Sequence, residues 1–336
     1  MNLLELLANI FGGLTFTWAN ALMLLIGGTL IYLAVAKEYE PVLLLPIGFG
    51  CILANLGMSA YAEESFMRVI YEAGIETELF PLLIFIGVGA MIDFRPLLAQ
   101  PSLALLGAAG QFGIFGTLLL AAALGFPLNE AASIGVIGAI DGPTAIFVTT
   151  KLAPHMLGPI AVAAYSYMSL IPIIQPPIMR LMTTRRERLI RMDYAPRPVS
   201  RVTAVAFPIV VTVAISLIAP SAAPLIAALM LGNLLREAGV VDRLSKAAQN
   251  EIINIATLFL GLAIGATMTA EKFLFDPATG IQWQTLMILG LGLLAFIVDT
   301  IAGLLFGKLM CFVTGGKVNP LIGACGISAF PMSARV

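Results

Sequence analysis

The chain has 336 residues, of which 60% are hydrophobic and only 11% charged, and its formal net charge is −1. An ordinary soluble domain carries about 25% charge, so this chain cannot cover itself with a water-facing surface. Soluble globular, disordered, collagen-like and coiled-coil classes are excluded, as is a basic nucleic-acid binder, and an all-α polytopic membrane protein remains.

A bilayer core of about 30 Å needs roughly 20 helical residues. Apolar runs predict membrane segments near 19–36, 41–57, 79–92, 102–124, 132–150, 157–182, 202–219, 222–236, 252–270, 284–313 and 319–335. The residues before the first run include Glu5 but no Lys or Arg in the first 15, so the basic start of a cleavable signal is missing and the spans themselves direct insertion. Runs 79–92, 132–150 and 319–335 are short or carry Gly and Pro in mid-run, the pattern of broken helices that expose backbone groups at the membrane midplane. Arg180, Arg185, Arg186, Arg188, Arg191, Arg197 and Arg201 crowd one loop against Glu187 and Asp193, which predicts a cytoplasmic segment at 183–201 between membrane units 1–182 and 202–336.

The two units read as repeats. Phe85-Ile-Gly-Val-Gly-Ala90 is similar to Phe259-Leu-Gly-Leu-Ala-Ile-Gly-Ala266, and Val136-Ile-Gly-Ala139 to Leu321-Ile-Gly-Ala324. An inverted arrangement, with the broken helices meeting at the midplane, is expected if 132–150 is re-entrant; full crossing would make the repeats parallel. The second unit stops with no partner for 157–182, so the chain is expected to be either truncated or naturally short, and a last helix beyond Val336 is the favoured reading.

Asp141, in Ile137-Gly-Ala-Ile-Asp-Gly-Pro-Thr144, is the outstanding residue. An ionised carboxylate at the centre of a membrane helix costs about 2.5–3.5 kcal/mol, so it needs a cation, a proton or a partner. Pro143 removes a backbone donor and disfavours helix before it. Free carbonyls, the Thr144 hydroxyl and one carboxylate make an all-oxygen site suited to a hard monovalent cation such as Na⁺; the competing reading is an Asp capping a broken helix at the surface. A second candidate is the stretch Asn319 to Arg335. Asn319 and Ser328 are neutral oxygen donors, Gly323 permits close approach, and Arg335 could hold an anion; a helix cap and a membrane-end anchor are the competing roles of Asn319 and Arg335. The third is 164–177, where Tyr165, Ser166, Tyr167, Ser169 and Gln175 are unusually polar and Tyr167 could donate a proton. Asp93 reads as a cap, His155 as a loop residue, and Asp299 as either a second buried acid or a helix–helix hydrogen bond.

Phe85 to Phe94, Gly110-Gln-Phe-Gly-Ile-Phe115, Asp141-Gly-Pro-Thr-Ala-Ile146, Val162-Ala-Ala-Tyr-Ser-Tyr-Met168, Gln175-Pro-Pro-Ile178 and Gly315-Gly-Lys-Val-Asn-Pro-Leu-Ile-Gly323, in this order, make the chain similar to the β subunits of biotin-dependent sodium-pumping decarboxylases. This resemblance implies decarboxylation of carboxybiotin carried by a partner subunit, coupled to Na⁺ export and to consumption of an external proton, in the bacterial inner membrane. It implies Asp141 as the Na⁺ and proton site, Tyr167 in proton delivery, Asn319 and Ser328 at Na⁺ in a motif that also contains Gly323, and Arg335 at carboxybiotin or the cytoplasmic gate. It implies as partners a biotin carrier, a carboxyltransferase α subunit, a small single-span γ or δ subunit, membrane lipid and further copies of the chain. The short segment 58–79 points toward the CoA-ester branches. A secondary Na⁺-coupled carboxylate transporter is the main alternative and a purely structural membrane anchor a lesser one.

Overall fold

A computed structural model describes residues 17–62, 65–192, 198–276 and 280–326. It is helical apart from a two-residue antiparallel pair, Phe275–Asp276 with Gly280–Ile281. The first unit holds α1 (Trp18–Ala36), α2 (Pro41–Ala54), α3 (Phe66–Tyr71), α4 (Leu79–Met91), α5 (Arg95–Ala99), α6 (Ala104–Ala109), α7 (Phe112–Ala123), α8 (Leu128–Gly135), α9 (Gly142–Leu152) and α10 (Leu157–Met182). After α11 (Arg185–Arg188) come α12 (Arg201–Ile218), α13 (Ala223–Ala238), α14 (Asp242–Ala247), α15 (Ile253–Thr267), α16 (Ala270–Phe273) and α17 (Trp283–Val313). Among the described residues five helical stretches are long and apolar enough to cross a bilayer, and two bent pairs raise the number to seven. One pair breaks by 57° between 66–76 and 79–91, the other by 60° within α10.

The structure departs from the expected spans in an instructive way. α2 has 14 residues and α13 has 16, both below the roughly 20 of a full crossing. These two short helices occupy equivalent places in the two units. Each is followed by a third segment of the same design: α3, a π-turn at Glu72–Glu76 and α4 in the first unit; α14, a π-turn at Ala248–Ile252 and α15 in the second. π-turns are rare and local, so their recurrence at one place supports the repeat independently of the sequence.

Small residues set how the units join. α2 packs on α15, and α13 on α4. A Cβ on Gly265 would lie 2.2 Å from the Ile47 carbonyl, and one on Gly89 would lie 1.9 Å from the Leu229 carbonyl, so only glycine allows either crossing. The polar contacts repeat as well. Asn55 at the end of α2 donates to Met268 O (2.8 Å) and accepts from Ala270 N (2.9 Å), tying down the exit of α15. At the exit of α4, Asn233 donates to Ile92 O (3.0 Å) and the buried Glu237 pairs with Arg95 (2.8 Å). Each unit therefore clamps the broken helix of the other.

The direction of the repeats follows from the central pair. Phe80 near the start of α4 stacks on Phe259 (6.1 Å), whereas Gly87 further along α4 meets Ile253 at the start of α15. As α4 advances, α15 retreats. Equivalent helices of the two units run antiparallel, which makes the repeats inverted.

Candidate functional site

The core beyond this interlock is organised around the broken segment 132–150. α8 runs into a 3-10 turn, Val136–Ala139, which ends at Ile140 in the left-handed region (φ 52°, ψ 42°). A β-branched residue rarely adopts that conformation, and such strain is of the order of 1–3 kcal/mol. Complete burial of Ile140 holds it in place. The backbone then turns extended at Asp141 (φ −124°, ψ 99°) and enters α9, with Pro143 in its first turn where no N–H is required. Asp141 therefore stands at the N-cap position of α9, half-buried, but its side chain makes no capping hydrogen bond to that helix. Thr144 Oγ1 donates to its Oδ2 at 2.5 Å. The start of α9 turns the positive end of a helix toward the carboxylate.

α10 covers this turn. A Cβ on Gly142 would lie 2.1 Å from the Tyr165 ring, so the glycine lets Tyr165 lie flat against the segment bearing Asp141. Tyr165 is 1% exposed, and its hydroxyl has no hydrogen-bond partner among the described residues. Tyr167, the residue singled out from the sequence, instead donates its hydroxyl to Leu289 O and packs its ring on Gly292 of α17. The two tyrosines are two residues apart on a helix and so face different neighbours.

The second motif also begins with a 3-10 turn, Pro320–Gly326. Both copies of the Ile-Gly-Ala signature therefore adopt the same unusual backbone. Asn319 caps this turn by accepting from Leu321 N (3.0 Å), and its amide donates to Ile190 O (3.0 Å) and Arg188 O (3.3 Å) of the arginine-rich loop. No hydrogen bond joins Asn319 to Asp141 among the described residues; the two motifs both pack on α10 and α17. Gly323 crosses Gly303 of α17 so closely that a Cβ would meet the Gly303 carbonyl at 1.9 Å. Gln175, fully buried on α10, donates to Ala324 O (2.9 Å) and fixes the turn from the other side. Ser328 and Arg335 lie outside the described residues.

The remaining candidates fall as follows. Asp93 accepts from Arg95 N (3.0 Å) and caps the start of α5. His155 is an exposed surface residue 3.1 Å from Glu130. Asp299 is fully buried on α17. In the arginine-rich loop, Thr184 N donates to Glu187 (2.6 Å) and Lys308 lies 3.3 Å from the same carboxylate. The Thr184 backbone donor, helped by Lys308, holds the Glu187 carboxyl below the usual carboxylate range.

Inverted repeats whose broken helices hold an intramembrane carboxylate are the architecture of ion-translocating membrane proteins. The model of the family described as the Na⁺-transporting oxaloacetate decarboxylase beta subunit matches residues 19–336, and the chain belongs to that family, a multi-pass protein of the bacterial inner membrane. It is 56% identical over 325 residues to methylmalonyl-CoA decarboxylase subunit beta of Veillonella parvula, covering 97% of this chain and 84% of that one. Over the same shares it is 53% identical to glutaconyl-CoA decarboxylase subunit beta of Acidaminococcus fermentans. To the oxaloacetate decarboxylase beta chain of Klebsiella pneumoniae it is 45% identical, covering 94% of this chain and 86% of that one.

Proposed function

We propose that this chain releases CO₂ from carboxybiotin delivered by a partner subunit, and that it couples the release to Na⁺ export and to uptake of a proton from outside. The observation that carries the reading is Asp141, an acid at the head of a broken helix, with Thr144 on one oxygen and the unpaired Tyr165 hydroxyl beside it. Carboxybiotin is an N-carboxylate. Protonation of its ureido nitrogen breaks the N–C bond and yields CO₂ and biotin N–H, so one proton is consumed per turnover. One carboxylate balances one monovalent cation, and a proton can replace that cation at the same oxygen.

Na⁺ enters from the cytoplasm and takes oxygens from Asp141 and Thr144, joined by Asn319, Ser328 and carbonyls of the turn at Gly323. The loop 183–201 faces the cytoplasm, and Arg335 holds the carboxylate of carboxybiotin when it arrives from that side. After the site opens outward, a proton displaces Na⁺ from Asp141 and passes through Tyr165 or Tyr167 toward biotin. The assembly includes a biotin carrier, a carboxyltransferase α subunit and a small single-span subunit. The higher identities to the methylmalonyl-CoA and glutaconyl-CoA relatives support a CoA ester as the acid that feeds it.

The test is Asp141→Asn in the intact complex, reconstituted in liposomes and supplied with free carboxybiotin. Both Na⁺ uptake and CO₂ release are expected to vanish; coupled activity in the variant refutes the role of Asp141. Avidin separates the alternative, because a carboxylate transporter that needs no biotin is insensitive to it.

A further inference from the structure

Asp299 has no part in the reading above. It lies in the middle of α17, a continuous 31-residue helix, within the apolar stretch Phe296-Ile-Val-Asp-Thr-Ile-Ala302, and is 0% exposed. Its Oδ1 accepts from Gly113 N (3.0 Å), while its Oδ2 is buried with no hydrogen-bond partner among the described residues. Gly113 is in the first turn of α7, immediately after the turn at Gly110–Gln111 that separates α6 from α7. The helix interruption thus delivers a backbone donor to a carboxylate that forms no ion pair among the described residues. Lys308, the next basic residue on α17, is spent on Glu187.

The position of Asp299 is as informative as its isolation. One turn before it, Ala295 contacts Gly138 of the 3-10 turn that leads into Asp141; one turn after it, Gly303 crosses Gly323 of the second 3-10 turn. It stands between the two motifs that the proposed function assigns to the cation. The elements packed on α17 supply few other titratable groups. They are Tyr165, Tyr167 and Arg180 on α10, Glu130 on α8 and Cys325 in the turn Pro320–Gly326, while α6, α7 and Val136–Ala139 contribute none. None of these forms a hydrogen bond or ion pair with Asp299 among the described residues.

We propose that Asp299 is a proton-binding site, alternately neutral and charged, on the route by which the consumed proton passes between the two 3-10 motifs. The inference rests on the reading of the pump given above. The chemistry is a single reversible step in which a proton adds to or leaves Oδ2, and Oδ1 keeps its bond to Gly113 throughout. A proton suits the site better than a metal ion. One oxygen is already taken by an N–H donor, and the buried Oδ2 has no other polar partner among the described residues to complete the oxygen shell that a metal ion requires.

Asp299→Asn separates this role from plain helix capping, because the amide oxygen still accepts from Gly113 N while the group no longer ionises. In the intact complex in liposomes, Asp299→Asn is expected to assemble normally. It is expected to lose about 100-fold in Na⁺-coupled CO₂ release, the low end of what a positioned proton-transfer group supplies. Asp299→Glu keeps the ionisable group and is expected to recover to within about tenfold of the parent, and this comparison decides the matter if the amide variant is poorly recovered. An assembled Asp299→Asn complex of parental activity, or an Asp299→Glu complex as inactive as Asp299→Asn, overturns the proposal. Asp141→Asn run alongside keeps the two readings apart. If it is inactive while Asp299→Asn is active, only the present inference fails; if it is active, the pump assignment of Asp141 fails.

Discussion

Replacing Tyr165 and Tyr167 separately by Phe gives opposite changes in stability. The Tyr165 hydroxyl is buried without a partner among the described residues, and a buried unsatisfied polar group costs about 1–3 kcal/mol. Phe keeps the ring against Gly142 and removes that cost, so Tyr165→Phe gains about 1 kcal/mol. The Tyr167 hydroxyl donates to Leu289 O, and Tyr167→Phe loses one net hydrogen bond, about 1 kcal/mol in the other direction. The gap of about 2 kcal/mol between the variants corresponds to a factor of about 30 in the folded-to-unfolded ratio. Denaturant unfolding of the purified complex, followed by helix signal, measures it. CO₂ release from carboxybiotin is the second readout, and Tyr165→Phe is expected to slow it about 100-fold while the protein becomes more stable. Equal destabilisation by both substitutions shows that the Tyr165 hydroxyl has a partner. Unchanged CO₂ release in Tyr165→Phe removes that hydroxyl from the proton path.

Three further outcomes are expected. Gly265→Ala and Gly89→Ala each push a methyl onto a backbone carbonyl at the equivalent crossings of the two units, so each destabilises by about 1–3 kcal/mol; Gly28→Ala, with nothing within 4 Å of the added methyl, is the control and leaves thermal unfolding unchanged or slightly higher. Asn319→Ala frees two loop carbonyls and a turn N–H, lowers stability by about 1–2 kcal/mol, and raises the protease sensitivity of the arginine-rich loop in membranes. Glu187 has a lowered carboxyl pKa in the folded state, so the stability it contributes is present above its unfolded value and is lost as pH falls through the folded one. The stability difference between the parent and Glu187→Gln, below about 1 kcal/mol because the ion pair is solvent-screened, therefore closes on acidification; a difference independent of pH counts against the Thr184 and Lys308 contacts.

The sequence carries the membrane class, the repeat signatures and Asp141 because each is a local fact. Glycine in Phe85 to Ala90 and Phe259 to Ala266 marks a close crossing, and a carboxylate in an apolar run marks a site. What crosses those glycines is not local. Gly50 in α2 and Gly232 in α13 each meet a backbone carbonyl of the other unit, but the polar clamps, Asn55 in one and Asn233 with Glu237 in the other, use different chemistry for the same task. No pairing of identical residues would have exposed it. The choice between Tyr165 and Tyr167 was equally out of reach, because the two point to different sides of α10 and only the fold shows which side Asp141 occupies. The donor to Asp299 comes from Gly113, far away in the chain, and leaves no trace near the acid.

The crosswise clamp also constrains how the protein is made. Gly50 meets its counterpart only when Gly265 has been synthesised, roughly two hundred residues later. Until then the nascent first half presents a small-residue seam to lipid, with nothing to fill it. The halves mature together or not at all, so a gene severed within 183–201 yields working protein only when the ribosomes deliver both fragments to the same patch of membrane.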